Sequence, residues 1–127
     1  RGENIREWLH VEDHCRGIAT VLEKGEVGET YLLQGEQRSN LQVTKRLLQI
    51  LEQDESFIEP VPDRLGHDFR YANNGAKVMA LGWKREHAFD EGLEETARWY
   101  KENKWWWKPL KLGRPNVDRV AQKGYSK

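Results

Sequence analysis

Apolar and polar positions follow two different periods along this chain, and the switches between them mark its elements. Ile5-Arg6-Glu7-Trp8-Leu9-His10-Val11 alternates at strand period. From Glu12 to Lys24 the spacing becomes helical, with Glu12 and Asp13 in the first turn, where the helix dipole favours acid, and Gly25 at the end. Ile18, Val21 and Leu22 predict the core stripe of this helix. After a turn at Val27-Gly28-Glu29, the run Thr30-Tyr31-Leu32-Leu33 predicts a buried strand of a parallel sheet, stopped by Gly35. Gln37-Arg38-Ser39-Asn40 reads as a polar loop, with Ser39 or Asn40 placed to cap the next helix. That helix is predicted from Leu41 to Gln53, with Leu41, Thr44, Leu47, Leu48 and Leu51 on one face.

Phe57 to Val61 predicts a third strand, and Pro60 and Pro62 mark an edge or an exit. A charged loop follows. Asn73-Asn74-Gly75-Ala76 then starts a short helix that reaches Leu81, with Gly82 closing it and Trp83 packing back. Phe89, Leu93, Thr96, Ala97 and Tyr100 predict a long helix over Asp90 to Lys104, acidic at its start and basic at its end. The triplet Trp105-Trp106-Trp107 reads as cover for a core or an interface edge rather than as a base-stacking platform. Lys111 to Lys127 shows little periodicity and reads as a flexible tail. The fold class expected is α/β.

Composition narrows the function. With 127 residues the chain is at most one domain. It opens on Arg1 and its only methionine is Met79, so it reads as a piece of something longer. Charged residues make up 33% and cancel to a net charge of zero, which leaves no basic field to attract nucleic acid. The mean hydropathy of −0.92 is polar, yet the periodic apolar blocks argue for a folded chain. No apolar run is long enough to cross a membrane and no signal-peptide pattern opens the chain, so no membrane partner is expected. Cys15 stands alone, which excludes an internal disulfide, fits a reducing cytoplasmic setting, and reads as a small buried side chain on its helix. His10 and His14 are four apart, but His10 lies before the helix, so no metal site is expected.

The candidate chemistry sits in Asp63-Arg64-Leu65-Gly66-His67-Asp68-Phe69-Arg70-Tyr71. Arg64 offers a planar fork of donors, His67 adds one more, and Gly66 lets the backbone come close, a combination suited to a phosphate. Asn40 stands where a helix N-terminus presents free N–H groups to an anion, although the same position serves equally as a cap. The competing reading is a surface loop with local salt bridges. By pattern alone Arg6 is a solvated strand arginine.

These blocks, in this order and spacing, carry a resemblance. Ile5 to His14, Gly28-Glu29-Thr30-Tyr31, Ser39-Asn40-Leu41, Asp63 to Ala72, Leu81-Gly82-Trp83-Lys84, Phe89 to Leu93, Trp99-Tyr100 and Trp105-Trp106 resemble the C-terminal part of the dTDP-glucose 4,6-dehydratases. Those enzymes belong to the extended short-chain dehydrogenase/reductase class. The resemblance covers about residues 1–110 and leaves 111–127 as a tail. It implies the last strand of a Rossmann sheet near 29–34, followed by a small mixed α/β nucleotide-sugar domain. It further implies a lyase that uses NAD, oxidising the sugar at C4, removing water across C5 and C6, and returning the hydride at C6. The cofactor loop and the catalytic Tyr-x-x-x-Lys are expected outside this chain, which alone should be inactive. Arg6 and Asn40 are implied to reach the phosphates or the nucleotide of dTDP-glucose, with Arg64 and His67 clamping the diphosphate and Tyr71 nearby. A homodimer is implied for the parent enzyme. Proline usual in that family is replaced by Leu65, which loosens the loop. A non-catalytic interaction module, or a piece of a related epimerase or dehydratase, is the alternative.

Overall fold

The computed structural model describes residues 2–62 and 65–112. Its elements are β1 (Ile5–Trp8), α1 (Val11–Lys24), β2 (Glu36–Ser39), α2 (Asn40–Ile50), a 3-10 turn (Glu55–Phe57), α3 (Ala76–Ala80), α4 (Phe89–Glu102) and α5 (Lys104–Lys111). The chain divides into one compact unit up to Glu94 and a second from Glu95 onward.

In the first unit β1 is the centre. On one edge it pairs antiparallel with β2, in the register Ile5 to Ser39, Arg6 to Arg38, Glu7 to Gln37 and Trp8 to Glu36. On the other edge Ile5 bridges Arg70 in parallel, with the Ile5 N–H donating to Phe69 O at 2.8 Å and the Tyr71 N–H donating to Ile5 O at 3.2 Å. The predicted polar loop at Gln37–Asn40 is therefore mostly strand. Backbone pairing to β1 holds it there, and half-buried positions tolerate its polar side chains.

The run Thr30–Leu33, near 29–34, is predicted as one strand of a parallel Rossmann sheet. Among the described residues this run pairs with no strand and is held by its side chains instead. Tyr31 Oη accepts from the Glu26 N–H at 2.9 Å, and Leu33 lies against Gly17, where an added Cβ would come within 2.4 Å of Leu33 Cδ2. The strand predicted at Phe57–Val61 is absent; Asp54 caps a 3-10 turn there through the Ser56 N–H. The segment that docks beside β1 is Phe69–Tyr71, inside the charged motif.

Helix α1 also differs from its pattern. Ile18 is 54% exposed and Leu22 86%, while the residues the helix buries are Asp13 and Gly17. Cys15 is exposed, contrary to the reading of a buried thiol. Asp13 gathers the polar contacts of this region. Its carboxylate accepts from the backbone N–H groups of Glu86 (3.0 Å) and His87 (3.1 Å) and pairs with Arg16. His87 Nδ1 lies 3.3 Å from Asp13 Oδ1, and the Trp83 indole donates to Asp13 O at 2.9 Å. Burial pushes the Asp13 carboxyl up, but the Glu86 and His87 N–H groups, the His87 ring and the Arg16 charge outweigh it and leave the group below its ordinary value. His10 caps α1 by accepting from the Glu12 N–H, and its ring stacks on His87 at 3.9 Å.

Helix α2 begins as its sequence implies. Ser39 and Gln42 form a reciprocal capping box, so the cap is Ser39, and Asn40 is the first helical residue. Val43 is the buried residue of α2, one position off the predicted leucine face. Gly82 adopts a φ of 96°, closing α3, and Trp83 is buried as predicted. In the second unit Trp99 meets Tyr100 and Trp106 edge-on, and the Trp107 indole donates to Tyr100 O at 2.8 Å. The tryptophan triplet thus lies at the start of α5, and the Trp106 ring closes a small aromatic cluster with Trp99 and Tyr100. The predicted tail lies outside the described residues from 113 on.

Candidate nucleotide-diphosphate site

The site grows from the two edges of β1. Pairing with Phe69–Tyr71 lays the charged motif along the strand that carries Arg6. Gly66 takes a φ of 71°, a turn that a side chain strains against. A Cβ at Gly66 would meet no atom within 4 Å among the described residues, so its value is the left-handed turn rather than close approach.

Arg6 is far from a solvated strand arginine. Its Nη1 donates to Ile5 O (2.7 Å) and Phe69 O (3.4 Å), and its Nη2 donates to Asp68 O (2.9 Å) and His67 Nε2 (2.8 Å). Since arginine only donates, His67 accepts at Nε2. The guanidinium carbon lies 4.2 Å from the centre of the Tyr71 ring, a cation–π contact. Tyr71 Oη in turn donates to Asp68 Oδ2 at 2.6 Å. Arg6, His67 and Tyr71, predicted from separate stretches, therefore form one cluster. Arg6 and Tyr71 also line an open cleft of about 490 Å³ with Glu7, Arg70, Ala72 and Asn73.

Asn40 joins this cluster through the backbone. Its N–H donates to Asn4 O at 3.1 Å, which pins the start of α2 to the residue ahead of β1. Arg64, the predicted partner of His67 in the clamp, lies outside the described residues. Two contributors escaped the sequence reading. Asp68 orients both Arg6 and Tyr71, and Asn4, only 7% exposed, reaches the loop from below. No periodic signal distinguishes either residue, because each acts through a pairing between distant segments.

The spacing Tyr-x-x-x-Lys does occur here once, at Tyr100 and Lys104, contrary to the expectation that the chain holds none. Tyr100 ends in α4 and Lys104 begins α5, with Asn103 between them at φ −102° and ψ 42°. The two side chains therefore do not share one helix face, as a pair four apart on a continuous helix would.

A cleft whose cation rests on carbonyls, an imidazole and an aromatic face, at the rim of a two-stranded ribbon, suits a phosphorylated ligand, and known proteins carry the same arrangement of elements. The dTDP-glucose 4,6-dehydratase of Mycobacterium tuberculosis is 42% identical over 113 residues, covering 87% of this chain and 34% of the relative. The solved dTDP-glucose 4,6-dehydratase DesIV of Streptomyces venezuelae, with NAD and TYD bound, superposes at a TM-score of 0.82 and 47% identity, over 86% of this chain and 34% of that one. The enzyme of Bacillus anthracis, in complex with NAD, gives 0.80 and 44%, over 86% and 35%. The chain thus spans about a third of the length of the relatives it matches. Its α/β elements are those of this enzyme group, and a family model described as GDP-mannose 4,6 dehydratase matches residues 1–96. With that match over most of its length, the chain belongs to the GDP-mannose 4,6 dehydratase family.

Proposed function

We propose that this chain is the nucleotide-sugar-binding part of an NAD-dependent dTDP-glucose 4,6-dehydratase, a lyase that converts dTDP-glucose to dTDP-4-keto-6-deoxyglucose. Residues 1–110 would form that binding region. The observation that carries the reading is the convergence of Arg6, His67 and Tyr71 in one cluster, whose Arg6 and Tyr71 line the open cleft. Arg6 and Arg64 would hold the diphosphate by charge-assisted hydrogen bonds, His67 would add a ring N–H or orient Arg6, and Asn40 would meet the nucleotide at the start of α2. The choice of dTDP rests on the relatives, which are dTDP-glucose enzymes at 42–47% identity.

NAD supplies hydride transfer in such enzymes, but the residues of this chain do not fit it. No glycine-rich cofactor loop is present in the sequence, and Tyr100 and Lys104 are divided between two helices. The chain's own work is remote binding. A grip on the diphosphate fixes the sugar for chemistry performed elsewhere and converts binding energy into orientation. Homodimerisation and a cytoplasmic location complete the reading. The first rests on the family resemblance, the second on the lone Cys15. Among the described residues no helix is long and apolar enough to cross a membrane.

The test is a titration of the full-length protein with dTDP. Arg6→Ala and Arg64→Ala should each weaken binding about ten- to a hundredfold, the worth of a charge-assisted hydrogen bond, with a much smaller effect on saturated turnover. Arg64→Lys should restore only part, because a point charge does not replace the fork. Unchanged affinities across these variants would mean that the loop is structural, and would favour an interaction module.

A further inference from the structure

We propose that the Asn74-Gly75 pair is a deamidation site, held slow in the folded protein by Gln34. It is the only Asn-Gly pair in the sequence. Glycine leaves the peptide nitrogen after an asparagine unshielded, because no Cβ stands over it. In the reaction the Gly75 backbone nitrogen gives its proton to solvent and attacks Asn74 Cγ. A C–N bond forms there, the bond from Cγ to Nδ2 breaks, and ammonia leaves with a proton from water. The cyclic imide then takes up water at either carbonyl and opens to an aspartyl or an isoaspartyl residue at position 74. Water is the only co-reactant, and nothing is oxidised or reduced.

Local packing explains why so labile a pair stands here. Gly75 is buried, and a Cβ on it would come within 2.9 Å of Gln34 Cβ, so a larger residue would have to displace that contact. Asn74 is exposed, and its Oδ1 accepts the Ala76 N–H at 2.9 Å, just where α3 begins. Each residue has its own use, and the two uses together create the pair. The Ala76 bond also folds the Asn74 carboxamide toward residue 75. What opposes the reaction is the hold on Gly75. Its N–H donates to Gln34 Oε1 at 3.4 Å, and its carbonyl accepts the Met79 N–H at 3.0 Å. Ring closure must remove the hydrogen that Gln34 holds and turn a peptide plane packed against that side chain, and close packing resists the turn. The products differ in what they do next door. Asn73 lines the cleft, and its N–H donates to Glu7 Oε1 at 3.0 Å. The isoaspartyl form inserts a backbone carbon directly after Asn73, whereas the aspartyl form keeps the backbone and an oxygen for Ala76.

The experiment ages the full-length protein in mildly alkaline buffer and follows position 74 by peptide mapping, which separates the asparaginyl, aspartyl and isoaspartyl forms. In denaturant Asn74 should convert well ahead of Asn103, which a lysine follows. Folded wild type should convert at Asn74 more slowly than the denatured chain. Gln34→Leu should raise the folded rate about two- to fivefold, the lower end of what one hydrogen bond is worth, because this one is long. Gln34→Glu keeps an acceptor oxygen and should stay near the wild-type rate, which separates loss of the bond from general loosening of the fold. No conversion at Asn74 in the denatured chain, or none ahead of Asn103, would overturn the site itself. Equal folded rates in wild type and Gln34→Leu, or the same gain in both variants, would overturn the role of Gln34. Conversion of folded wild type at the denatured rate would do so without any variant. None of these readings depends on a ligand, so they stand apart from the reading of the cleft.

Discussion

Asp13 shows how a single carboxylate organises its surroundings without touching a ligand. It is fully buried, and its partners come from the chain just after Trp83. Removing it leaves two backbone N–H groups without their acceptor, while Arg16 keeps its pair with Glu86 at 3.3 Å. Asp13→Ala should therefore cost about 1–3 kcal/mol for each donor left unsatisfied. Because the folded-state carboxyl is held below its ordinary value, its stabilisation is complete above about pH 4 and declines as the pH falls toward the folded value. Melting curves of the wild type and Asp13→Asn across that acid range should converge as the pH falls; parallel curves would show that Asp13 is not the group responsible. At this scale the sequence was legible where a residue type has one use. Ser39 as a cap, Gly82 as a left-handed stop and Trp83 as its packing partner all follow from local rules. Asp13 was legible only as a first-turn acid, because apart from Arg16 its partners lie at least seventy positions away.

Elements were legible where their own period decides them. Helices α1 to α4 were found within a few residues, since a 3.6-residue stripe is a local property, whereas α5 over Lys104–Lys111 was read as a tryptophan run without a helix. Strands depend on partners. Glu36–Ser39 has the composition of a loop and becomes β2 because β1 lies beside it, whereas Thr30–Leu33 has the composition of a strand and pairs with none among the described residues. Gly35 is the hinge between these two fates. A Cβ there would approach the Trp8 backbone to 2.6–2.8 Å, and backbone cannot move aside cheaply. Gly35→Ala should destabilise the protein by about 1–3 kcal/mol, the usual cost of overpacking, and should weaken dTDP binding through β1. A variant with unchanged melting temperature and affinity would show that the ribbon shifts freely.

For the molecule as a whole, the apolar pattern of α1 is real but faces outward. Val11, Ile18 and Leu22 fall on one side of the helix and are all exposed, while the buried apolar side chains of the described residues are Val43, Val78 and Trp83. Such a stripe is a surface that favours association. The isolated chain should accordingly self-associate and melt without sharp cooperativity, and it should form no 4-keto-6-deoxy product from dTDP-glucose and NAD. Sedimentation showing a monomer with a sharp melt would contradict the first expectation, and product above a buffer blank the second. The site was legible in part for a related reason. The motif at 63–71 announced itself by composition, but the pairing that brings Arg6 onto it has no local signature.

The bridge between Ile5 and Arg70 has a consequence for how such a protein can diverge. Arg6 and Phe69 stand 63 positions apart, yet they are held together by the backbone pairing of the neighbouring Ile5 with Phe69–Tyr71 rather than by the path of the chain between them. The cost of closing such a loop grows only with the logarithm of its length, about 0.6 kcal/mol for each doubling. Residues 51–62 form exposed turns on that path. Insertions and deletions there are nearly neutral for the two ends, so evolution can lengthen, shorten or recompose that stretch while the grip on the ligand is inherited unchanged.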